Sequence, residues 1–491
     1  MKLGKLIESI NGKAPEARPS LPECEVDTFV IDSREVKAGD VFFALSQPEY
    51  ANNGFNGDFD DATAFVRTAF EAGAVACVVR HDRFEEHIEE LAEFRDRLIF
   101  VDDSIAALQA LAHEVYLEWN KPVVAVTGSA GKTTAKELTA HVLAASGRKV
   151  LRNIKNFNNG LGHPLTVLRL AKEPDFDVAV LEMGMSTPLH EIARLCRITP
   201  PDVAIELNVL PVHLEHLGSI EAIAAAKAEL VEGMKPGGTA VLNADDERVA
   251  AMFSFSKGKV VTYGIENEAT VQASEIEVRG FGETTFTLSI GNETAGVTFP
   301  LNGRHNILNA LAAASAGHVF GMSAGEIAKS LSSVAAPPQR GEILRFKNGF
   351  IVVNDSYNSN PDALLSMVSM LCDSAPSDAR KIVVAGEMLE LGPEAAAIHR
   401  RVGNDIASHG IDILIGVRGF ASELVAGAKD CGLLDADFAA DSADAGKLLC
   451  EKVRAGDVVL VKGSRGVRTE KVIEEILEKF ELGGENAAAA E

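Results

Sequence analysis

Residues 123–137, VVAVTGSAGKTTAKE, decide the fold that the sequence predicts. The apolar run Val123–Val126 is typical of a buried strand, and a helical pattern begins after Gly131. Glycines between the two elements let the backbone curl and present N–H groups, and a helix N-terminus adds partial positive charge. A strand, a glycine-rich loop, a Lys-Thr pair and a helix in this order predict a phosphate-binding loop.

The loop is a shortened relative of the usual phosphate-binding consensus. Val126 stands where that consensus has its first glycine, and Gly128 takes over the role. Lys132 is expected to reach terminal phosphates, and the Thr133 hydroxyl is suited to holding Mg²⁺. The alternative is an ordinary glycine turn between a strand and a helix. The predicted nucleotide contacts of the loop are Thr127, Gly128, Ser129, Ala130, Gly131, Lys132, Thr133 and Thr134.

The strand–helix pattern repeats on the C-terminal side of the loop. Three further buried runs, at 178–184, 202–208 and 239–245, are separated by helical patterns. Such alternation is typical of a doubly wound parallel sheet with right-handed crossovers. Residues 258–301 instead alternate apolar and polar positions between glycine turns, and this pattern predicts a small antiparallel appendage that begins with KVVTYG at 259–264.

The chain of 491 residues is long enough for about three domains. The stretch AAPPQRGE at 335–342 has the prolines and glycine of a linker, and a second strand–helix series follows it. We therefore predict an α/β protein with three domains: a smaller N-terminal α/β domain at 1–103, a central phosphate-loop domain with a doubly wound parallel sheet and its appendage at 104–330, and a C-terminal doubly wound, Rossmann-like domain at 331–491. Two such sheets beside a short linker predict an interdomain cleft that binds ligands.

Composition excludes several classes of function. The net charge of −24 would repel phosphate backbones, so a general nucleic-acid binder is excluded, although a local cationic pocket is not. The six cysteines lack metal-binding spacing, which fits a reducing compartment. The N-terminal stretch has no uninterrupted apolar core, and no apolar run is long enough to cross a bilayer, so we expect a cytoplasmic protein without membrane insertion.

Acidic and histidine side chains after the buried strands are candidate metal ligands. Glu182 follows the run VAVL beside the predicted phosphate loop, where a carboxylate can bind Mg²⁺. His213 follows the next strand and could be a second ligand, but His216 is a rival. The alternatives are a solvated glutamate and hydrogen-bonding surface histidines.

Lys227 lies on the apolar stripe of a predicted helix, between Ile223 and Leu230. Burial of a lysine lowers its pKa, and a neutral amine can react with CO₂ to form a carbamate, which is an anionic metal ligand. The alternative is a side chain whose stem is buried while its ammonium reaches the surface. The residues alone leave both interpretations open.

Several motifs taken together resemble those of the Mur ligases, the ATP-dependent amide-forming enzymes of peptidoglycan synthesis. TGSAGKTT, LEMGM, NVLPVHLEH, AKAEL and GRHNILNALAAA occur in the order of that family. The segment NDSYNSNPDALL, with AGEMLELG and LVKGSRG, resembles the branch that adds D-alanyl-D-alanine. The DNPR motif of the branch that adds diaminopimelate is absent from the sequence, and the related folylpolyglutamate synthetases fit less well.

The resemblance implies a role for each matching residue. Lys132, Lys227, His213 and Arg340 are implied as catalytic residues, with Arg340 approaching the γ-phosphate and Lys227 carbamylated. The implied ligands of two Mg²⁺ ions are Thr133, Glu182, His213 and Lys227. ATP would further contact Asn306, Asn309, Arg340 and Asp355. The implied substrate contacts are Asp32, Ser33, Arg34, Asn158, Asn159, Tyr357, Asn358 and Asn360.

The resemblance also implies the reaction and its partners. ATP would activate the carboxylate of UDP-MurNAc-tripeptide as an acyl phosphate, and the amine of D-alanyl-D-alanine would then form the amide. We expect a monomer with these two substrates as partners. A sister Mur ligase that adds one amino acid, a phosphate-loop ATPase that acts as a switch, and an inactive sugar-nucleotide binding protein are the alternatives.

Overall fold

The computed structural model describes residues 1–13, 18–53, 55, 61–154, 156–185, 189–211, 217–335 and 337–483. Within them the chain forms three sheets that follow one another along the sequence, of four, nine and six strands. The mixed α/β class with parallel sheets is confirmed. None of the helices in these ranges is long and apolar enough to cross a membrane.

The first sheet is parallel throughout, in the order β1-β2-β3-β4. Its strands are β1 Phe29–Val30, β2 Val41–Phe43, β3 Ala76–Arg80 and β4 Leu98–Val101. The α-helices around it are Leu3–Ser9, Gln47–Asn52, Val66–Glu71, His81–Glu86 and Ile88–Leu91. Short 3₁₀ helices cover Leu21–Glu23, Ser33–Glu35, Ala62–Phe65 and Ala92–Arg97.

Helix Ser104–Trp119 joins the first sheet to the second. Asp103 caps its start by accepting hydrogen bonds from the N–H groups of Ile105 and Ala106. Asn120 ends it in the left-handed conformation. The buried side chains of this helix belong to one core with residues of both sheets, so the helix packs the first sheet against the second.

The second sheet has the order β13-β12-β11-β10-β9-β8-β5-β7-β6. Its strands are β5 Val123–Thr127, β6 Val150–Arg152, β7 Val178–Glu182, β8 Val203–Glu206, β9 Thr239–Asn243, β10 Lys259–Gly264, β11 Val271–Gly280, β12 Glu283–Ile290 and β13 Glu293–Phe299. The α-helices are Lys132–Ala145, Gly162–Leu168, Glu191–Ile198, Ile220–Glu232, Glu247–Ala251, Arg304–Val319 and Ala324–Leu331. Two 3₁₀ helices cover Arg169–Ala171 and Met252–Phe255.

Strand β5 lies inside this sheet between β8 and β7, and all its residues are buried. Val124 and Val126 face the core formed with helices Lys132–Ala145 and Arg304–Val319, whereas Ala125 faces the core on the opposite side. Helices on both faces explain why the strand is a continuous apolar run. The carboxyl ends of β5, β7 and β8 therefore meet at one edge, where ligands bind in such sheets.

The prediction for KVVTYG at 259–264 was wrong in one respect. This segment, β10, pairs in parallel with both β9 and β11, so it continues the main sheet. Only β11, β12 and β13 are antiparallel to their neighbours in the appendage. The first two residues of β10 are exposed and its last two are buried, so the strand lacks the uniform burial of the central parallel strands.

The third sheet has the order β14-β15-β19-β16-β17-β18. Its strands are β14 Glu342–Arg345, β15 Ile351–Asp355, β16 Lys381–Gly386, β17 Ile413–Val417, β18 Ala436–Ala439 and β19 Val458–Lys462. The helices are Pro361–Ser374, Ala395–Ser408, Ala421–Asp430, Ser442–Lys452 and Glu470–Lys479, with a 3₁₀ helix at Gly392–Glu394. The sheet is parallel except for the edge strand β14, and separate cores cover its two faces.

Candidate functional site

The loop 128–131 joins β5 to helix Lys132–Ala145, as the sequence predicts. Gly131 has a φ of +83°, and a Cβ atom placed on it would lie 2.6 Å from Asn309 Oδ1. Gly128 has a φ of +156°, and a Cβ atom there would lie 2.8 Å from the Leu207 side chain. Both positions therefore require glycine for conformation and for space.

The segment that follows β8 holds the loop in shape. The Ala130 N–H donates to Asn208 Oδ1 at 2.8 Å, and the Ser129 N–H donates to the Asn208 carbonyl oxygen at 3.0 Å. The Ser129 hydroxyl donates to the Leu210 carbonyl oxygen and accepts from the Leu210 N–H. Asn208 was not among the predicted residues, although it follows a buried strand in the same way as they do.

Thr133 and Glu182 meet beside the loop. The Thr133 hydroxyl donates to Glu182 Oε2 at 2.9 Å, and Asn158 Nδ2 donates to Glu182 Oε1 at 2.7 Å. Glu182 is only 4% exposed. Its two oxygens are thus fixed by neighbours from two other segments, and the carboxylate is oriented at the end of β7.

Two residues that the sequence analysis missed support Glu182. Asn153 accepts from the Glu182 N–H and donates to the Glu182 carbonyl oxygen, each at 3.0 Å. Lys136 donates to the Asn153 carbonyl oxygen at 2.6 Å, and burial lowers its pKa to about 8. Lys136 lies on helix Lys132–Ala145, one turn after Lys132. The helix that follows the phosphate loop therefore also supports the backbone of Glu182, through Asn153.

Two further lysines, Lys132 and Lys227, also have lowered pKa values, and of these two only Lys132 lines the interdomain cleft. Burial lowers the pKa of Lys132, whose Nζ donates to the Gly128 carbonyl oxygen at 2.8 Å. Lys227 is 2% exposed, and burial, together with the positive charge of Lys132, lowers its pKa to about 7. The interpretation in which the Lys227 ammonium reaches the surface is therefore wrong, because the sheet covers this face of helix Ile220–Glu232.

Glu206 ends β8 near both lysines and was missed by the sequence analysis. Its side chain is fully buried, and among the described residues neither carboxyl oxygen has a hydrogen-bond partner. Burial raises the pKa of Glu206 well above its usual value, although Lys227 and Lys132 oppose the shift.

A cleft of about 1080 Å³ lies between the central and third parts of the chain and is lined by residues of both. The central part contributes the loop from Ser129 to Thr134 and Glu182, and the third part contributes the segment around Tyr357. Its lining includes most predicted residues, namely Ser129, Ala130, Gly131, Lys132, Thr133, Thr134, Asn158, Asn159, Glu182, Asn306, Asn309, Arg340, Asp355, Tyr357, Asn358 and Asn360.

The chain matches two family models, the Mur ligase middle domain over residues 126–317 and the Mur ligase, glutamate ligase domain over residues 339–465. It is 31% identical to UDP-N-acetylmuramoyl-tripeptide–D-alanyl-D-alanine ligase of Bacillus subtilis, over 95% of this chain and 96% of that protein. The chain belongs to the Mur ligase family. It is an ATP-dependent ligase, and its relatives place it in the branch of the Bacillus subtilis enzyme.

Solved Mur ligase structures share the fold. MurF from Acinetobacter baumannii superimposes with a TM-score of 0.84 at 27% identity, covering 97% of this chain and 98% of that one. MurF from Thermotoga maritima, solved in complex with ADP, gives a TM-score of 0.78 at 28% identity, covering 92% of this chain and 98% of that one. The predicted three-domain architecture of the Mur ligase fold is therefore confirmed.

The two asparagines implied as ATP contacts, Asn306 and Asn309, both line the cleft of this Mur ligase. Asn306 donates to the Asn302 carbonyl oxygen at 2.8 Å, and Asn309 lies against Gly131. Neighbouring His305, which the sequence analysis did not single out, is hydrogen-bonded to Ser366 of the third part. Burial lowers the pKa of His305 to about 4.

Of the other predicted substrate residues, Asn159 lines the cleft, whereas three residues of the first part do not. Asn159 accepts from the N–H groups of Leu161 and Gly162 and so shapes the start of helix Gly162–Leu168. Asp32, Ser33 and Arg34 lie beside the first sheet, outside the lining of the cleft. There the Arg34 guanidinium is paired with the Asp32 carboxylate, which lowers the pKa of Asp32.

The oxygen donors of the cleft fit Mg²⁺. Thr133 and Glu182 supply a hydroxyl and a carboxylate, the ligand types that Mg²⁺ prefers when substrate phosphates complete its coordination. Within the described ranges there is no group of three or more His, Cys, Asp or Glu side chains that could hold a metal alone. His213 and its rival His216 lie outside the described residues.

Proposed function

We propose that this Mur ligase joins D-alanyl-D-alanine to the tripeptide carboxylate of UDP-N-acetylmuramoyl-tripeptide in a reaction driven by ATP. The observation that carries the proposal is the cleft that unites the phosphate loop and Glu182 with the segment Asp355–Asn360. The name of the Bacillus subtilis relative, which matches almost the whole chain, supports the same pair of substrates.

We propose that the three parts of the chain, divided at the boundaries predicted from the sequence, bind different substrates. We propose that residues 1–103 bind the UDP-sugar, with Asp32, Ser33 and Arg34 at the uridine. Residues 104–330 would bind ATP, and residues 331–491 would bind the dipeptide and close over the nucleotide. The contact of the third part with Thr133, made by Arg340, supports such closure.

Activation of the carboxylate is the first chemical step in this proposal. A carboxylate is a poor electrophile, so an oxygen of the tripeptide carboxylate attacks the γ-phosphorus of ATP, and ADP leaves. The negative charge on the transferring phosphoryl oxygens would be stabilised by Lys132 and Arg340. The product is an acyl phosphate, from which the cleft must exclude water.

Amide formation is the second step. The free amine of D-alanyl-D-alanine attacks the acyl carbon, a tetrahedral intermediate forms, and inorganic phosphate leaves as the amide is completed. The amine loses a proton in this step. We propose that Asn358 and Asn360, which line the same cleft as the phosphate loop, contact the dipeptide.

One Mg²⁺ ion would be held by Thr133 and Glu182. A second Mg²⁺ ion would be held by His213 and a carbamylated Lys227. When bound, it supplies Lewis-acid stabilisation of phosphoryl oxygens. The buried position of Lys227 and its pKa of about 7 support the carbamate, because only the neutral amine reacts with CO₂.

Phosphate release from ATP tests the proposal. The assay contains Mg²⁺ and UDP-MurNAc-tripeptide, with and without D-alanyl-D-alanine or single amino acids. We expect release to require the dipeptide and the product to have the mass of the pentapeptide. Release driven by one amino acid would identify a sister ligase, and release that ignores both substrates would identify a switch ATPase.

A further inference from the structure

The Tyr357 ring lies close to two guanidinium groups in the third part of the chain. The Arg340 guanidinium carbon lies 4.0 Å from the centre of the Tyr357 ring, and that of Arg465 lies 5.6 Å from it. A cation over an aromatic face is attracted by the ring quadrupole within about 6 Å. The ring therefore holds Arg340 closely, while Arg465 is more distant.

Arg340 also reaches the phosphate loop. Its Nη2 donates to the Thr133 hydroxyl at 3.4 Å, although the two residues are separated by 207 positions in the sequence. The same hydroxyl donates to Glu182. Arg340 thus has Tyr357 on one face and an N–H directed at the residue that begins the helix after the loop.

Holding the Arg340 side chain in this position costs conformational entropy, because the residue lies on a connecting segment. Arg340 follows two prolines and Gln339, whose φ is +60°, and it precedes β14. A free arginine side chain loses up to about 2 kcal/mol of rotamer entropy when it is fixed. A ring stacked on the guanidinium restrains the side chain before any ligand arrives, so less entropy remains to be lost on binding.

From this geometry we propose that Tyr357 is a positioning residue, whose ring holds the Arg340 guanidinium over the phosphate loop to meet the terminal phosphate of ATP. The inference rests on the proposed function for ATP binding at that loop. It differs from the expectation that Tyr357 contacts the substrate, because the ring acts through Arg340. The hydrogen bonds of the described residues include none from the Tyr357 hydroxyl, so the aromatic face carries the effect.

Calorimetric titration with two nucleotides tests the proposal without either co-substrate. The full-length protein is titrated with Mg-ADP and with the β,γ-imido analogue of Mg-ATP, which alone has a γ-phosphate. We expect Tyr357→Leu to weaken binding of the analogue about tenfold and to leave ADP binding within about twofold. Tyr357→Phe keeps the ring and should bind both nucleotides as the wild type does.

Two controls give the test its specificity. Phe420→Leu removes an exposed ring elsewhere in the third part and should leave both titrations unchanged. In an Arg340→Gln background, Tyr357→Leu should have no further effect on the analogue, because the two residues act as one unit.

Several results would overturn the inference. Equal weakening of ADP and analogue by Tyr357→Leu would give Tyr357 a structural role, and a Phe variant as impaired as the Leu variant would shift the effect to the hydroxyl. Additive effects with Arg340→Gln would uncouple the two residues. If the wild type binds the analogue more tightly than ADP and Tyr357→Leu binds the analogue equally well, this inference alone would be overturned. If the wild type binds neither nucleotide, the proposed function would be overturned as well.

Discussion

The Lys462 ammonium lies 2.5 Å from Asp355 Oδ2, and this ion pair joins the carboxyl ends of two neighbouring strands, β19 and β15. Lys462 also donates to the Asn358 carbonyl oxygen at 2.8 Å. The side chains of Lys462 and Asp355 are 5% and 12% exposed. Lys462 thus contacts both ends of the segment Asp355–Asn358, which brings Tyr357 and Asn358 to the cleft.

Replacing Lys462 by methionine should destabilise the protein. The variant leaves the Asp355 carboxylate buried without its cation, and breaking a buried pair in this way costs about 3–5 kcal/mol. We expect the free energy of unfolding, measured by urea denaturation, to fall by about that amount. The double variant Asp355→Asn with Lys462→Met should recover part of the loss. Lys447→Met, which breaks an exposed pair with Asp444, is the matched control and should leave the urea midpoint unchanged.

The central site is largely predictable from the sequence because its signals are local. The strand at Val123–Thr127, the glycine loop and the helix that begins at Lys132 all arise from one run of residues. The spacing of apolar residues likewise places Lys227 on the covered face of its helix, although it leaves open whether the ammonium reaches the surface. In such cases the period of the pattern determines which face is covered.

The supporting residues are not predictable in this way because their partners are remote in the sequence. Asn208 meets Ala130 across 78 positions, and Lys462 meets Asp355 across 107. These contacts depend on the order of strands in the sheets, which hydrophobic periodicity does not specify. The misplacement of β10 has the same origin, since its partners β9 and β11 determine its direction.

Lys132→Ala should remove ATP-dependent turnover. Lys132 begins the helix after the loop, and its loss takes away the cation expected at the terminal phosphates. We expect phosphate release to fall at least about 100-fold, as for loss of one transition-state contact of this kind. Binding of the UDP-sugar, followed by calorimetry, should persist. Retained turnover would remove the assignment of the phosphate loop, and the exposed Lys149→Ala variant should behave as the wild type.

Lys227→Ala should abolish activity, and a short carboxylate in the buffer should restore part of it. The variant opens a buried space where the proposal places a carbamate, and acetate or formate can supply the missing anionic oxygens there. The measurement is phosphate release at increasing carboxylate concentration, with chloride at equal ionic strength as the control. Near-normal activity of the variant, without any response to carboxylate, would contradict the carbamate.

Gly131→Ala should impair both nucleotide binding and stability. The new methyl group would need a φ of +83° and would lie within 2.6 Å of Asn309 Oδ1. Gly147→Ala is a matched control, because Gly147 has a φ of +84° and a Cβ atom placed on it would have no neighbour within 4 Å among the described residues. We expect the control to lose about 1 kcal/mol through backbone strain, and Gly131→Ala to lose more. Asn309→Ala should relieve part of the extra loss, as measured by thermal unfolding.

His163 should make the protein sensitive to acid. Its ring is fully buried, Nε2 is hydrogen-bonded to the Thr199 hydroxyl at 2.7 Å, and burial lowers its pKa to about 3. The unfolded chain has a histidine pKa of about 6.5, so the stabilising contribution is complete above that pH and is lost as the pH falls from 6.5 towards 3. By pH 5 the loss from this residue reaches about 2 kcal/mol.

The contribution of His163 can be isolated by comparing His163→Gln with the wild type. Urea unfolding between pH 7 and pH 5 should show a shallower loss of stability in the variant, because glutamine has no proton to gain. His305, whose pKa burial also lowers, remains in both proteins and cancels in the difference. Parallel pH profiles for wild type and His163→Gln would show that the His163 ring is already protonated, or open to water, in the folded state.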